Sequence, residues 1–338
     1  MVIGMQSEVA VVTDAYCVAV DEYYIFPDVA RRVADLVRRR RADLEPQVDS
    51  DELANFLTRT AYEASSDHHR EVRLWPVSAE VVSTGSDEFA AARTRRAHRL
   101  NYGVAKIERL AGNVGLLALT NFFPAHLAGD VLTSAMQVLN GTEALIVDLR
   151  RNQGGSPETV VLLISYLLDA DQEPVHINDF YFRHDETTQQ SWTLPHVPGR
   201  RFGSSKPVYV LTSSNTFSAA EAFAYDLQAM KRAAVVGERS RGGAHPGDRI
   251  RLDDHLAAFV PSGRAINPIT GTNWQGIGVI PDRVTSAPDA LTAAHASALN
   301  RLLATPRLDP ELATEAADTL RLLSTTTNTT TSAAAPER

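Results

Sequence analysis

The segment Ala144–Leu149, which reads Ala-Leu-Ile-Val-Asp-Leu, constrains the fold of this chain more than any other feature. An almost continuous apolar run is typical of a strand buried on both faces, as in a parallel sheet covered by helices on both sides. A second such run, Val208–Thr212, comes later in the chain. Helical patterns follow the two runs, over Ser156–Leu167 and Ala219–Met230. This strand–helix–strand alternation predicts an α/β domain whose strands pair largely in parallel.

Other elements are predicted on both sides of these two runs. Gly112 and Asn113 separate two strand patterns and predict a β-hairpin. The further predicted strands are Val104–Leu110, Val114–Phe122, Val175–Arg183, Trp192–Leu194, Ala234–Gly237 and Ala257–Pro261, and the further predicted helices are Pro124–Leu139, Asp289–Leu303 and Pro310–Leu323.

The chain is expected to divide into consecutive parts. Residues 1–76 are predicted to form a small helical bundle ending in a strand, because apolar residues recur at helical spacing, Pro27 can open a helix and Asp49 can cap another. Residues 77–99 are polar without steady periodicity and are predicted to be a linker. The core is expected over residues 100–305 and a last helix over 306–323. Residues 324–338 are rich in Thr and Ala and are predicted to be disordered.

Composition and charge exclude several classes of partner. The net charge of −8 over 338 residues gives no basic footprint, so no nucleic-acid partner is expected. No apolar run approaches the ~20 residues that span a bilayer, and the N-terminus lacks the basic start of a signal peptide, so no membrane partner is expected. Cys17 is the only cysteine, which rules out an intramolecular disulfide and favours a cytoplasmic location.

Ser218 lies where a predicted strand gives way to the helical pattern that begins at Ala219. A hydroxyl residue at such a corner is held rigidly beside the first amides of the helix and the positive end of its dipole. These are the requirements of an activated nucleophile next to an oxyanion site. The alternative is that Ser218 only caps the helix, since serine is a favoured N-cap residue.

Two glycine-rich turns are candidates for contact with a ligand. Gly154 and Gly155 follow the first buried strand, and glycine lets the backbone approach a ligand while leaving amides free to donate. The alternative is an ordinary tight turn. A later loop contains Gly242, Gly243 and His245 and lacks the Gly-Lys-Ser/Thr ending of a phosphate-binding loop. This loop is predicted either to line a substrate or to be a plain connection.

The sequence Asp67-His68-His69 is the remaining candidate for chemistry. Adjacent histidines can bind a metal ion, but no other His, Cys, Asp or Glu set has metal-ligand spacing, so no metal is expected. An isolated surface pair is one interpretation. A general base for a serine hydroxyl is the functional one.

Taken in order, these segments resemble the tail-specific, or C-terminal-processing, serine peptidases. Within that family the chain is most similar to the branch related to interphotoreceptor retinoid-binding protein and to the tricorn protease core. Each matching segment is short, but their joint order is specific. The segments are Tyr24–Pro27, Asp67–His69, Ala144–Gly155, Ser191–Thr193, Val208–Glu221, Phe223–Tyr225, Val235–Glu238, Gly242–Ala244, Asn267–Trp274 and Gly278–Asp282.

The resemblance implies a ClpP/crotonase-like β/α core preceded by the helical bundle, a peptide or protein substrate, and no cofactor. It implies that Ser218 is the nucleophile and that the amides of Ala219 and of the Gly154–Gly155 turn form the oxyanion hole. Glu221 is expected to be mainly a helix-start carboxylate that supports this turn. Many members carry a PDZ domain, but only about 30 residues separate His69 from the first core strand, so none is expected here.

The family pattern also bears on the general base. The processing-protease branch uses a lysine in a Gly-Lys-Gly loop, where this chain has Gly242–Ala244. The resemblance therefore implies a histidine, as in the tricorn-like branch. His69 fits the Asp-x-His pattern best, and His68 is the second candidate. His245, in a loop on the substrate side, is the third.

Gln275 stands where the tricorn-like arrangement has a glutamate that orients the histidine. Glutamine can hold a histidine by a hydrogen bond but cannot stabilise imidazolium. Loss of the anionic partner lowers the rate of a serine protease by up to ~10⁴. Asp67 or Glu221 is a possible substitute.

Three functions are consistent with this pattern. The first is hydrolysis of peptides through an acyl-enzyme, with an extended substrate pairing with a sheet edge near the glycine turn. The second is a repurposed member that binds a peptide or an apolar small molecule, which the substitution at Gln275 favours. The third is acyl transfer or cyclisation in a biosynthetic pathway, which uses the same site with a nucleophile other than water.

Overall fold

The computed structural model describes residues 2–44, 48–68, 71–74, 87–171 and 173–332. Its α-helices are α1 Val2–Tyr23, α2 Pro27–Arg40, α3 Ser50–Ser65, α4 Asp87–Arg99, α5 Ala125–Leu139, α6 Pro157–Tyr166, α7 Ala219–Ala229, α8 Ala290–Leu303 and α9 Pro310–Ser332. Its strands are β1 Glu71–Leu74, β2 Val104–Leu110, β3 Val114–Leu119, β4 Ala144–Asp148, β5 His176–Phe182, β6 Thr187–Trp192, β7 Val208–Thr212, β8 Ala234–Gly237, β9 Gly247–Arg251, β10 Leu256–Pro261, β11 Gly263–Ile266 and β12 Arg283–Val284.

The chain divides into two compact units, each assembled from several segments. Unit 1 comprises Met1–Arg93, His176–Ser191 and Gly242–Gly278, and unit 2 comprises Thr94–Val175, Trp192–Arg241 and Val279–Arg338. This division differs from the consecutive parts expected from the sequence. His176–Ser191 and Gly242–Gly278, both within the expected core, belong to the same unit as the N-terminal helices. They do so because β5 of the first stretch pairs with β11 of the second, and β10 of the second pairs with β1.

Unit 2 is built on a six-stranded sheet with the order β12-β8-β7-β4-β3-β2. Strands β3, β4, β7, β8 and β12 pair in parallel, and β2 joins β3 as an antiparallel hairpin across Gly112 and Asn113. Strand β7 is buried at every position, as the apolar run predicts. The α/β class and the parallel pairing are therefore confirmed.

Helices cover this sheet. One core packs α8 and α9 against the strands, with Val114, Ile146, Leu211, Val236, Ala294, Leu299 and Ala316 among its buried members. Helix α5 packs against β2 and β3, α7 packs against β8, and α6 contacts both α5 and α7. The carboxyl ends of β4 and β7 are neighbours in the sheet, and the turns that follow them carry the predicted serine and glycines.

Unit 1 combines helices α1–α3 with two three-stranded sheets, ordered β1-β10-β9 and β11-β5-β6. Its core lies between these helices and β9–β10, and includes Tyr16, Val33, Leu57, Leu256 and Val260. Helix α2 begins at Pro27, as predicted, and Asp49 caps α3 by accepting a hydrogen bond from the Glu52 amide at 2.8 Å. None of the helices in the described residues has the length and apolar character needed to cross a bilayer.

The structure differs from the sequence prediction in two terminal or connecting segments. Residues 87–99, predicted as part of a linker, form α4. This helix is rich in good helix formers, and its apolar face is narrow, so no apolar periodicity marks it. Helix α9 extends to Ser332, beyond the predicted end at Leu323 and into the segment predicted to be disordered.

Candidate active site

Ser218 lies at the corner between β7 and α7, with the backbone angles φ 57° and ψ −124°. A residue that only caps a helix has extended backbone angles with negative φ. Non-glycine residues rarely adopt positive φ, and such strain is concentrated at functional sites, including the strand-to-helix corner of hydrolytic serines. The backbone of Ser218 therefore favours a functional residue over a simple cap.

Hydrogen bonds join the turn after β7 to the turn after β4. The buried Thr216 hydroxyl donates to the Leu149 carbonyl oxygen at 2.9 Å and accepts from the Ser213 amide at 2.9 Å. The Ser213 hydroxyl donates to the carbonyl oxygen of Arg150 at 2.6 Å. These contacts hold the serine corner against the neighbouring turn.

Glu221 fixes the backbone of Ser218 from inside the protein. This carboxylate is fully buried, and its Oε2 accepts a hydrogen bond from the Ser218 amide at 2.8 Å. Its Oε1 accepts from the Ser240 hydroxyl at 2.5 Å, and that hydroxyl in turn accepts from the Val279 amide at 2.7 Å. Glu221 thus lies at the start of α7 and contacts the turn, as expected from the sequence.

The glycine turn packs directly against Ser218. Gly154 and Gly155 have φ of 98° and 139°. A Cβ on Gly154 would lie 2.8 Å from the Ser218 Cβ and 2.9 Å from the Ala219 nitrogen, and one on Gly155 would lie 2.0 Å from the Phe122 carbonyl oxygen. Only glycine fits these two positions without a shift of the backbone.

The amides around Ser218 differ in whether they are already engaged. The Gly154 amide donates to Asn152 Oδ1 at 2.8 Å. Within the described part of the chain, the amides of Gly155 and Ala219 donate no hydrogen bond. Gly155 and Ala219, rather than Gly154, therefore supply the amides that are open to a ligand.

A buried histidine–carboxylate pair lies in unit 1. His245 Nδ1 is 2.7 Å from Asp67 Oδ2, and the two side chains are 6% and 1% exposed. The Tyr24 hydroxyl also donates to Asp67 Oδ2, at 3.1 Å, and the Phe26 ring meets the His245 ring edge-on at 5.5 Å between centroids. An ionised carboxylate only accepts hydrogen bonds, so the contact with Asp67 assigns the ring proton of His245 to Nδ1.

The other predicted histidines are placed differently. His68 is partly exposed and its ring lies 5.0 Å from that of Tyr62. His69, the preferred base, lies outside the described residues, so its role stays a prediction. Among the described residues, no cluster of three or more His, Cys, Asp or Glu side chains could hold a metal ion.

Gln275 supports the loop that carries His245. Its Oε1 accepts a hydrogen bond from the Ala244 amide at 2.7 Å. The neighbouring Trp274 donates from Nε1 to the Gly243 carbonyl oxygen at 2.7 Å, and the Gly276 amide donates to Gly242 at 2.9 Å. The two segments therefore lie side by side, and the glutamine oxygen is engaged by backbone.

Comparison with known proteins identifies the family. A model described as peptidase family S41 matches residues 113–285, just over half of the 338-residue chain. The chain belongs to peptidase family S41. It is 27% identical over 218 residues to the carboxyl-terminal-processing protease of Synechocystis sp., covering 63% of this chain and 48% of that protein. It is 30% identical over 142 residues to the tail-specific protease of Haemophilus influenzae, covering 40% and 18%.

Solved structures show that a fold shared with peptidases of known structure extends over most of the chain. A putative peptidase from Parabacteroides merdae superposes with a TM-score of 0.57 at 19% identity, covering 82% of this chain and 90% of that one. The photosystem II D1 C-terminal processing protease superposes with a TM-score of 0.51 at 17% identity, covering 90% of this chain and 100% of that one. The tricorn protease superposes with a TM-score of 0.51 at 13% identity, covering 92% of this chain and 36% of that one. The family resemblance and the α/β fold class predicted from sequence are confirmed, while the absence of a PDZ domain stays a prediction. The chain spans less than half the length of the two curated relatives.

Sequence reasoning missed several residues of this candidate site. Thr216, Ser240 and Asn152 hold the serine corner and the glycine turn through hydrogen bonds. Thr216 and Asn152 lie within the two turns, and short polar side chains in turns commonly bond loop backbone, which was a signal. Ser240 lies in the loop after β8 and carried no such signal. The Asp67–His245 contact had no such local signal.

Proposed function

We propose that this chain is a serine peptidase that hydrolyses peptide bonds through an acyl-enzyme on Ser218. The strained backbone of Ser218, with the unengaged amides of Gly155 and Ala219 beside it, is the observation that supports this function. A peptide or protein is the substrate class that S41 membership implies.

In this mechanism the Ser218 hydroxyl attacks the scissile carbonyl carbon while a histidine takes its proton. The carbonyl oxygen becomes an oxyanion and accepts hydrogen bonds from the Gly155 and Ala219 amides. The histidine then protonates the leaving amine as the C–N bond breaks. Water, activated by the same histidine, hydrolyses the resulting ester and restores Ser218.

His69 is the base in this proposal, on the strength of the Asp-x-His pattern. His245, third in the order from sequence, is placed ahead of His68 in this proposal, because a carboxylate, Asp67, lies 2.7 Å from its Nδ1. Single alanine variants at the two positions separate them. Loss of the base lowers the rate by roughly 10²–10⁴, so the variant with the larger loss identifies it.

Labelling with a rhodamine-linked fluorophosphonate, followed by peptide mass spectrometry, tests the assignment of Ser218. We expect modification at Ser218 only, loss of labelling and of turnover in Ser218→Ala, and an unchanged melting temperature. Ser214→Ala is the matched control, since Ser214 is an exposed serine in the same turn and should leave labelling intact. Turnover by Ser218→Ala at the wild-type rate would exclude the proposal.

Gln275 favours a second candidate function, binding without hydrolysis. A glutamine bound to the Ala244 amide supplies no anionic charge for an imidazolium. Gln275→Glu separates the two functions. Faster labelling of Ser218 in this variant indicates a hydrolase with a weakened base. Absence of labelling in both forms indicates a protein that binds a peptide or an apolar small molecule.

A further inference from the structure

Asn152 connects the glycine turn to the serine corner and is fully buried. Its side-chain Oδ1 accepts a hydrogen bond from the Gly154 amide at 2.8 Å. Its backbone carbonyl oxygen accepts a hydrogen bond from the Phe217 amide at 3.1 Å. The backbone N–H of Asn152 donates a hydrogen bond to the Leu149 carbonyl oxygen at 3.0 Å. One residue therefore contacts the oxyanion turn, the residue before Ser218 and the end of the β4 segment.

The orientation of the Asn152 carboxamide is set by chemistry. The Gly154 amide can only donate, so the oxygen of the carboxamide must face it and the NH₂ group must point elsewhere. This Nδ2 has no hydrogen-bond partner among the described residues, although it is buried. A buried donor without a protein partner is rare and calls for a physical explanation, and a role at a functional site is one such explanation.

We infer that Asn152 is a positioning residue for the oxyanion turn, an inference that rests on the proposed function. By engaging the Gly154 amide, its Oδ1 fixes the peptide planes of the turn and leaves the Gly155 amide to face a ligand. By accepting from Phe217, its carbonyl oxygen sets the distance between that turn and Ser218. The side chain itself does not touch the reacting atoms.

The experiment measures phosphonylation of Ser218 by the same fluorophosphonate, with the inactivation rate constant kinact and the binding constant KI determined separately. In this step the Ser218 oxygen forms a bond to phosphorus, the P–F bond breaks, fluoride leaves and the hydroxyl proton passes to the base. Negative charge develops on the phosphonyl oxygen, so kinact reports the oxyanion site and KI reports binding before reaction.

Asn152→Ala removes the acceptor, and we expect kinact to fall roughly 100-fold with KI within about twofold of wild type, as for loss of an oxyanion donor. Asn152→Ser keeps an acceptor that can reach the amide two residues on, and we expect an intermediate kinact. Asn267→Ala is the matched control, since Asn267 is equally buried and its Oδ1 accepts from the Ile269 and Thr270 amides, both at 3.0 Å. This control should lower the melting temperature and leave kinact unchanged.

The inference is overturned if Asn152→Ala keeps the wild-type kinact, if KI rises in step with the fall in kinact, or if Asn267→Ala slows kinact equally. Should the alanine variant not fold, Asn152→Ser decides alone, because a wild-type kinact there also overturns it. Wild-type protein that is not labelled at Ser218 excludes the proposed function and this inference together. If wild-type protein is labelled at Ser218 and both Asn152 variants have the wild-type kinact, only this inference is excluded.

Discussion

At the scale of single residues, Gly154 sets how closely the glycine turn lies against Ser218. An added Cβ would meet the Ser218 Cβ at 2.8 Å while the backbone stays at φ 98°. We expect Gly154→Ala to destabilise the protein by roughly 2–4 kcal/mol, from positive-φ strain and the contact together, and to slow Ser218 labelling at least ~100-fold. Chemical denaturation and labelling kinetics measure the two effects.

Gly271→Ala separates the two causes. Gly271 also has positive φ, 67°, but no atom lies within 4 Å of an added Cβ. The substitution should therefore cost only the backbone strain, about 1–2 kcal/mol, and leave labelling unchanged. Equal labelling by the Gly154 and Gly271 variants would show that the turn does not depend on close packing at Gly154.

Cys17 is a residue whose chemistry is suppressed by burial. It is 0% exposed within α1, and burial raises the pKa of its thiol from 9.0 to about 11. The native thiolate fraction at pH 8 is then about 100-fold below that of an unfolded chain, so the disulfide reagent DTNB should react at least ~100-fold more slowly with native than with guanidinium-unfolded protein. The thiol of the unfolded chain loses its proton at a lower pH than the buried thiol of the native protein. The free energy of unfolding therefore falls as the pH rises from 9 to 11. Equal reaction rates would show that the Cys17 environment opens readily.

At the scale of elements, local patterns predicted five of the six strands in the large sheet of unit 2, all except β12. The predicted strand Trp192–Leu194 was wrong, since β6 ends at Trp192. Strands β7 and β8 begin and end where their apolar runs do, because burial on both faces requires an apolar residue at nearly every position. Helix α4 was not predicted, since Ala97 is buried while its neighbours Arg95, Arg96 and Arg99 are exposed. Over residues 90–99, where burial is described, this single buried small residue leaves no periodic pattern to detect.

In the candidate site, too, some residues are marked by a local sequence pattern and others are not. Ser218 and the Gly154–Gly155 turn are each marked by a strand-to-helix transition within a few residues. The Asp67–His245 pair joins residues 178 positions apart, and it forms only because β1 pairs with β10 and the His245 loop precedes β9. Propensity and periodicity carry no information about such a pairing.

A double-mutant cycle measures what the Asp67–His245 contact contributes. His245→Ala leaves the Asp67 carboxylate buried with Tyr24 as a remaining donor, and we expect a loss of about 3–5 kcal/mol in the free energy of unfolding. Asp67→Ala should cost a similar amount, and the double variant about 2 kcal/mol less than the sum of the two losses, which is the coupling energy. Additive losses would show that the two side chains do not stabilise each other.

At the scale of the whole molecule, the six segments alternate between the two units, so the chain passes between them five times. Neither unit is a continuous stretch of sequence that could be removed from the other. Each unit nevertheless has its own apolar core, with Leu57 fully buried in that of unit 1 and Leu299 in that of unit 2.

Separate cores predict separate responses to cavities. Leu57→Ala and Leu299→Ala should each cost about 2–5 kcal/mol locally, because both side chains are fully buried. In hydrogen exchange read by mass spectrometry, Leu57→Ala should speed exchange of the amides in α1–α3 and β10 and leave β4 and β7 unchanged. Leu299→Ala should do the reverse. If both substitutions speed exchange throughout the chain, the five connections make the two cores one cooperative unit.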